Sequence, residues 1–268
     1  MGKRKILTVR GPSGGTLTTR EVVPREIQAG HHRLFYCDAG MGAPLIMIHG
    51  LGASSRWWFR LFPQLTAANI RALTPDLPGF GRSPGSALNI EHASRAILAF
   101  ADQLELGQFF LCGHSMGGAV AAHVAANHPG RVRRLILVDS AGHPGIGPLK
   151  MLGRIIQPWS WCPPWFYSTL LGDAVRAGPR SMLRGIGELR HHDIRPVLRR
   201  VRTPTLMIWG RKDMLTPLEH GRAMLAELES GRLEVVDGVR HLPMVSDADA
   251  TGRLFVDFLQ EDLSQRKA

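Results

Sequence analysis

The sequence predicts an α/β fold, a mostly parallel central sheet flanked by helices with an inserted helical cap. Two observations carry this. Short apolar or β-branched runs, each bounded by turn residues, alternate with longer helix-like stretches, which is the pattern of strands crossing over through helices. One long segment, from about Gly142 to Arg202, breaks that alternation with repeated Pro and Gly and clustered aromatics.

The strand candidates are Pro44–His49, Ile70–Thr74, Phe109–Cys112, Leu135–Val138, Thr205–Trp209 and Leu233–Val236. Between them lie helix candidates at Arg56–Ala68, Ile90–Leu106, Met116–Asn127, Leu218–Glu229 and Asp247–Leu263. Brief apolar strands of this kind suit a parallel sheet covered on both faces. The interruption reads as a cap over the carboxyl ends of the strands, where open α/β sheets bind ligands. The expected organisation is a core of 1–142 and 203–268 with a cap of 143–202.

The chain has 268 residues, 44% of them hydrophobic, enough to bury a core without disulfides or metals. Cys37, Cys112 and Cys162 match no zinc or redox spacing. The basic N-terminus, Met1-Gly2-Lys3-Arg4-Lys5, precedes too short an apolar stretch for a signal peptide. No segment has the length of a membrane span. A cytoplasmic protein is expected. The net charge is +11, and between Lys150 and Arg202 basic residues outnumber acids by ten to three. That excess could draw an anionic lipid surface or an acidic substrate. No zinc finger or RNA-binding signature supports nucleic acid.

The strongest motif is Gly113-His114-Ser115-Met116-Gly117, followed by Gly118. Phe109-Phe110-Leu111-Cys112 precedes it as a strand, and an alanine-rich helix follows. A nucleophile elbow requires that strand–turn–helix context, because its sharp turn tolerates only small flanking residues. The following helix points its N-terminus at developing negative charge.

With two further motifs the chain resembles a capped serine hydrolase of the α/β-hydrolase fold, esterase- or lipase-like, from about Leu34 onward. These are His49-Gly50-Leu51-Gly52 at a strand end and Asp76-Leu77-Pro78-Gly79-Phe80-Gly81-Arg82-Ser83 after the next strand. Ser115 is then the expected nucleophile. A serine hydroxyl needs a base, and the base needs an orienting acid. Of 12 histidines, His241 follows the last strand and precedes the last helix, where the resemblance places the base. Arg240 and Ser246 depart from the common pattern around it. Asp213, after the Thr205–Trp209 strand, matches the commoner acid position, and Asp139 is the alternative. The resemblance implies oxyanion donors at the Leu51 and Met116 amides, with Gly50 allowing close approach to substrate. It implies no metal or organic cofactor.

A serine in place of aspartate at the elbow argues for acyl chemistry rather than dehalogenation or epoxide opening. The expected reaction is cleavage of carboxylic esters with apolar acyl groups, by carboxylesterase or lipase chemistry, on a small ester or lipid-like substrate. A lactonase or carbon–carbon bond hydrolase with the same triad, and a receptor-like member with little turnover, are the alternatives. In the cap, Trp159, Trp161, Trp165, Phe166 and Tyr167 cluster with Pro158, Pro163 and Pro164. Such aromatics can line an acyl pocket, with Trp165 the candidate contact, or pack as a small cap core. Beside the basic excess they also suit weak association with an anionic membrane surface.

Overall fold

The computed structural model describes residues 8–10, 16–18, 22–143 and 162–265. Trp159, Trp161 and Pro158 lie outside them. β1 (Thr8–Arg10) and β2 (Thr16–Thr18) form an antiparallel pair of their own. β3 (Val22–Ala29) and β4 (His32–Ala39) form an antiparallel hairpin that turns through Gly30 at φ 57. The sequence reading passes over this hairpin. β3 carries Pro24, Arg25 and Glu26, which hide its alternation, and such residues are tolerated because it is an edge strand.

The remaining strands are β5 (Ala43–Ile48), β6 (Ile70–Pro75), β7 (Phe109–His114), β8 (Val132–Val138), β9 (Thr205–Gly210) and β10 (Gly231–Val236). The eight-stranded sheet runs β10-β9-β8-β7-β5-β6-β4-β3, parallel from β10 to β6 and antiparallel where β4 joins β6 and β3 joins β4.

The helices are α1 (Phe62–Ala67), α2 (Ile90–Gln103), α3 (Met116–Asn127), α4 (Tyr167–His191), α5 (Arg195–Leu198), α6 (Leu218–Leu225), α7 (Pro243–Ser246) and α8 (Ala248–Gln265). The expected helix over Arg56–Ala68 divides into a 3-10 stretch, Ser55–Leu61, and α1. Pro63 in the first turn of α1 has no N–H to continue an α-helical ladder from the preceding turn. α2 stops three residues short of its expected end, where Glu105 takes φ 54. α4 is broken by Gly178, at φ 68 and ψ 167, just before Pro179.

The sheet separates two cores. Side chains alternate across a strand, so Ile46 and Ile48 join Phe100, Val120 and Leu137 on the α2–α3 side. Leu45 and Met47 join Phe62, Phe110 and Phe255 on the α1–α8 side. Both faces are dry, which is why these strands are apolar without a polar alternate. α3 is buried from Met116 to Ala122, and its small residues let it lie close against β7 and β8. Cys37, Cys112 and Cys162 are free and buried. Among the described residues, no helix is long and apolar enough to cross a membrane.

Candidate active site

Ser115 sits between β7 and α3 at φ 51, ψ −118, a region that costs a non-glycine residue about 1–3 kcal/mol. The turn is held by hydrogen bonds on both sides. Ser115 N–H donates to the Val138 carbonyl at 3.0 Å, and the Ser115 carbonyl accepts Gly118 N–H at 2.9 Å and Ala141 N–H at 3.0 Å. Glycine is required next to it. A Cβ on Gly117 would stand 2.6 Å from the His49 carbonyl oxygen and closer still to that of Ile48. One on Gly113 would meet the backbone of Gly117 and Gly118. Ser115 is partly exposed, whereas Gly113, His114, Met116 and Gly117 are buried.

The structure brings His241 and Asp213 together across 28 positions of sequence. His241 Nδ1 donates to Asp213 Oδ2 at 2.7 Å, and both residues are buried. Asp213 Oδ1 accepts the amides of Leu215 at 2.7 Å and Thr216 at 3.1 Å, while the Thr216 hydroxyl donates to Oδ2 at 2.5 Å. Burial pushes the Asp213 carboxyl up, but His241 and the Thr216 donors outweigh it and hold the group below its ordinary value. Asp139, the alternative acid, instead accepts Gly210 N–H at 2.9 Å on Oδ1.

Two residues here were not singled out from sequence. Thr216 is one, and the run Asp213-Met214-Leu215-Thr216-Pro217 carried a signal for it, since an aspartate commonly caps amides two and three residues on. His114, within the elbow motif, is the other. Its Nε2 donates to the His241 carbonyl at 2.9 Å, and its ring lies 4.8 Å from the His241 ring. Burial and the neighbouring His241 push its titration well down, so the ring is neutral. Among the described residues, His114, Asp139 and His241 are the one set of three ligating side chains within 4.8 Å of one another. They belong to this cluster and not to a separate metal centre.

The loop after β5 comes against the elbow. A Cβ on Gly50 would stand 2.9 Å from His114 Nδ1 and 3.1 Å from the Ser115 Cβ. Among the described residues, neither the Leu51 nor the Met116 amide donates to a protein acceptor. The motif at 76–83 braces this loop. Asp76 accepts Ser55 N–H at 2.6 Å and Arg82 N–H at 2.8 Å, and Leu77 N–H donates to His49 Nε2 at 2.9 Å.

α4 lies over the same loop. Buried Asp173 accepts from Ser54 Oγ at 2.8 Å, Trp57 Nε1 at 2.9 Å and Arg56 at 2.6 Å. Further along α4, Met182 approaches Gly52, and Gly185 faces Leu51 and Met116. Beneath Met116 is a small cavity lined by apolar side chains, among them Leu77, Phe80, Leu88, Ile90 and Val120. Trp165 is not brought into the cluster. It is 57% exposed, its ring packing edge-on against Phe166 and beneath the Arg60 guanidinium. His192 is half-buried, its Nε2 3.0 Å from that of His123 on α3.

A strained serine between a parallel strand and a central helix, with a His–Asp pair delivered by later strand ends, defines a class of serine hydrolase. The chain belongs to the alpha/beta hydrolase family, whose model matches residues 45–254. It is similar to the 2-hydroxy-6-oxo-6-phenylhexa-2,4-dienoate hydrolase of Burkholderia cepacia, at 28% identity over 90% of this chain and 96% of that one. It is also similar to the pimeloyl-acyl-carrier-protein methyl ester esterase of Neisseria meningitidis, at 29% identity over 80% and 92% of the two chains. Among solved structures, an esterase from Exiguobacterium antarcticum superposes with a TM-score of 0.81, at 22% identity over 89% of this chain and 100% of that one.

Proposed function

We propose that the protein cleaves carboxylic esters with apolar acyl groups through Ser115, His241 and Asp213. The observation that carries this is the His241–Asp213 bond of 2.7 Å, with the His241 ring 4.8 Å from that of His114, the residue before a strained, partly exposed Ser115. Asp213 fixes the tautomer with the proton on Nδ1, which leaves Nε2 as the base. Ser115 Oγ attacks the acyl carbon and His241 takes its proton. The Leu51 and Met116 amides hold the oxyanion, and the N-terminus of α3 adds its field. His241 then protonates the leaving alcohol, and water activated by the same ring releases the acid. Residues 143–202, of which 144–161 lie outside the described residues, are the proposed cap, with α4 packed on Leu51.

The apolar side chains packed around Met116, among them Leu77, Phe80 and Val120, support an apolar acyl group. A 2-hydroxy-6-oxo-dienoate, named for the Burkholderia cepacia relative, is the second reading, since the same triad can run that chemistry. The test is hydrolysis of p-nitrophenyl esters of increasing acyl length by wild type and Ser115→Ala, with a dienoate and a lactone alongside. Ester turnover that vanishes in the variant supports the proposal. Turnover of the dienoate or the lactone alone would move the reading there, and none at all would favour a receptor-like protein.

The exposed face of α4 supports weak association with an anionic membrane. Leu171, Val175 and Leu183 are 67%, 72% and 70% exposed. Arg180, Arg184 and Arg190 are exposed on the same helix and, among the described residues, pair with no acid. Flotation with anionic but not zwitterionic vesicles, weakened by salt, is expected. Flotation with neither would refute it.

A further inference from the structure

Asp139 follows β8, and its carboxyl is fully buried, yet the reaction proposed above makes no use of it. Its backbone takes φ 41, a left-handed conformation uncommon for a residue with a side chain. Oδ1 accepts Gly210 N–H, but buried Oδ2 takes no hydrogen bond from any described N–H or O–H group. The titratable groups that face it come from three other elements. They are Asp213 on the loop after β9, His241 on the loop after β10, and His114 at the end of β7, the two histidines with a ring nitrogen within 4.8 Å of the carboxyl. Among the described residues, no Lys or Arg acts on it.

A buried carboxylate needs a cation or several donors, and Asp139 has one amide. Asp213 beside it has the His241 N–H, the Thr216 hydroxyl and two amides. Two carboxyls sharing a buried site do not both ionise, and the negative charge belongs on the partner with more hydrogen-bond donors. An orphaned acceptor next to a carboxylate is explained if it carries a proton.

We propose that Asp139 is a positioning residue that remains protonated and donates from Oδ2 to Asp213, so that the pair behind His241 carries a single negative charge. This rests on the reading of Ser115, His241 and Asp213 as the reacting set. Burial, and then the neighbouring Asp213, push the Asp139 carboxyl well above its ordinary value, in the same direction. No proton leaves the pair during the reaction. The donated bond disperses charge on Asp213 and orients the oxygen that faces His241.

Two measurements test this. The first is the infrared difference spectrum of wild type minus Asp139→Asn near neutral pH, which needs no substrate. A protonated-carboxyl C=O band present only in the wild type is expected, and its absence would overturn the proposal even if the enzyme hydrolyses nothing. The second is the pH profile of kcat/KM on a p-nitrophenyl ester. Asn keeps a donor toward Asp213, so Asp139→Asn should leave the acid limb in place. Asp139→Ala should raise it by about half a pH unit or more, because Asp213 then holds its full charge against His241. A fall of the limb in Asp139→Asn would mean that Asp139 is ionised. An unmoved limb in both variants, with only stability lost, would make it a purely structural residue. Either result overturns the proposal.

Discussion

Replacing Asp173 by alanine should loosen the proposed oxyanion loop from α4, and the structure allows the size to be worked out. The carboxyl is 1% exposed and accepts from Ser54 Oγ, Trp57 Nε1, Arg56 and Arg176. In Asp173→Ala the Ser54 hydroxyl and the Trp57 indole N–H become buried donors without an acceptor, at about 1–3 kcal/mol each. Arg56 and Arg176 have side chains 42% and 51% exposed and turn to water, so they add little. The sum is about 2–6 kcal/mol, or a Tm lower by roughly 4–24 °C for a chain of this size. Ser54 and Trp57 lie three and six positions after Leu51, so the same change frees the Leu51 amide to wander. Outright loss of an oxyanion donor costs about 10²–10³ in kcat, and a loosened one should cost about tenfold. Asp173→Asn, which keeps one acceptor oxygen, should fall between. Scanning calorimetry and steady-state kinetics on a p-nitrophenyl ester read both effects. An unchanged Tm with unchanged kcat would refute the coupling of α4 to the loop.

Asp213→Asn should lower kcat by about 10⁴ with little change in KM, because the amide favours the wrong His241 tautomer; steady-state kinetics near pH 7 check it. Gly117→Ala should abolish soluble expression or cost at least ~3 kcal/mol, since its Cβ meets backbone carbonyls of β5 and the residue after it and not a movable side chain; a urea melt measures it. Stability should fall with acidification between pH 6.5 and about 4 through His123, whose titration is pushed down to about 4 by burial and then by His192. The unfolded state binds the proton first in that window, so stability present above pH 6.5 is lost below it, by ~1–2 kcal/mol after solvent screening of a half-buried ring. Urea midpoints of wild type and His123→Asn at pH 7.5 and 5.0 should show the dependence flattened in the variant.

Much of this protein is written locally in its sequence. The parallel strands are brief apolar runs because both faces of the sheet are covered. Gly113, Gly117 and Gly118 mark a turn that no Cβ could enter. The positions of Asp213 and His241 after successive strands placed both at one edge of the sheet. These features depend on residues close together in the chain, or on an order of elements that the chain itself imposes. Other features depended on approach through space. Pro24, Arg25 and Glu26 made sense in a strand only once β3 was seen at the sheet edge. Asp173 was one of three acids in a basic segment until α4 laid it on Ser54 and Trp57, more than a hundred positions away. His192 meets His123, 69 positions away, only through packing. Asp139 and Asp213 were equivalent in chain order. Tertiary structure gives one the imidazole and three further donors and the other a single amide, because hydrogen bonds between distant segments depend on where the packed elements bring them and not on spacing along the chain.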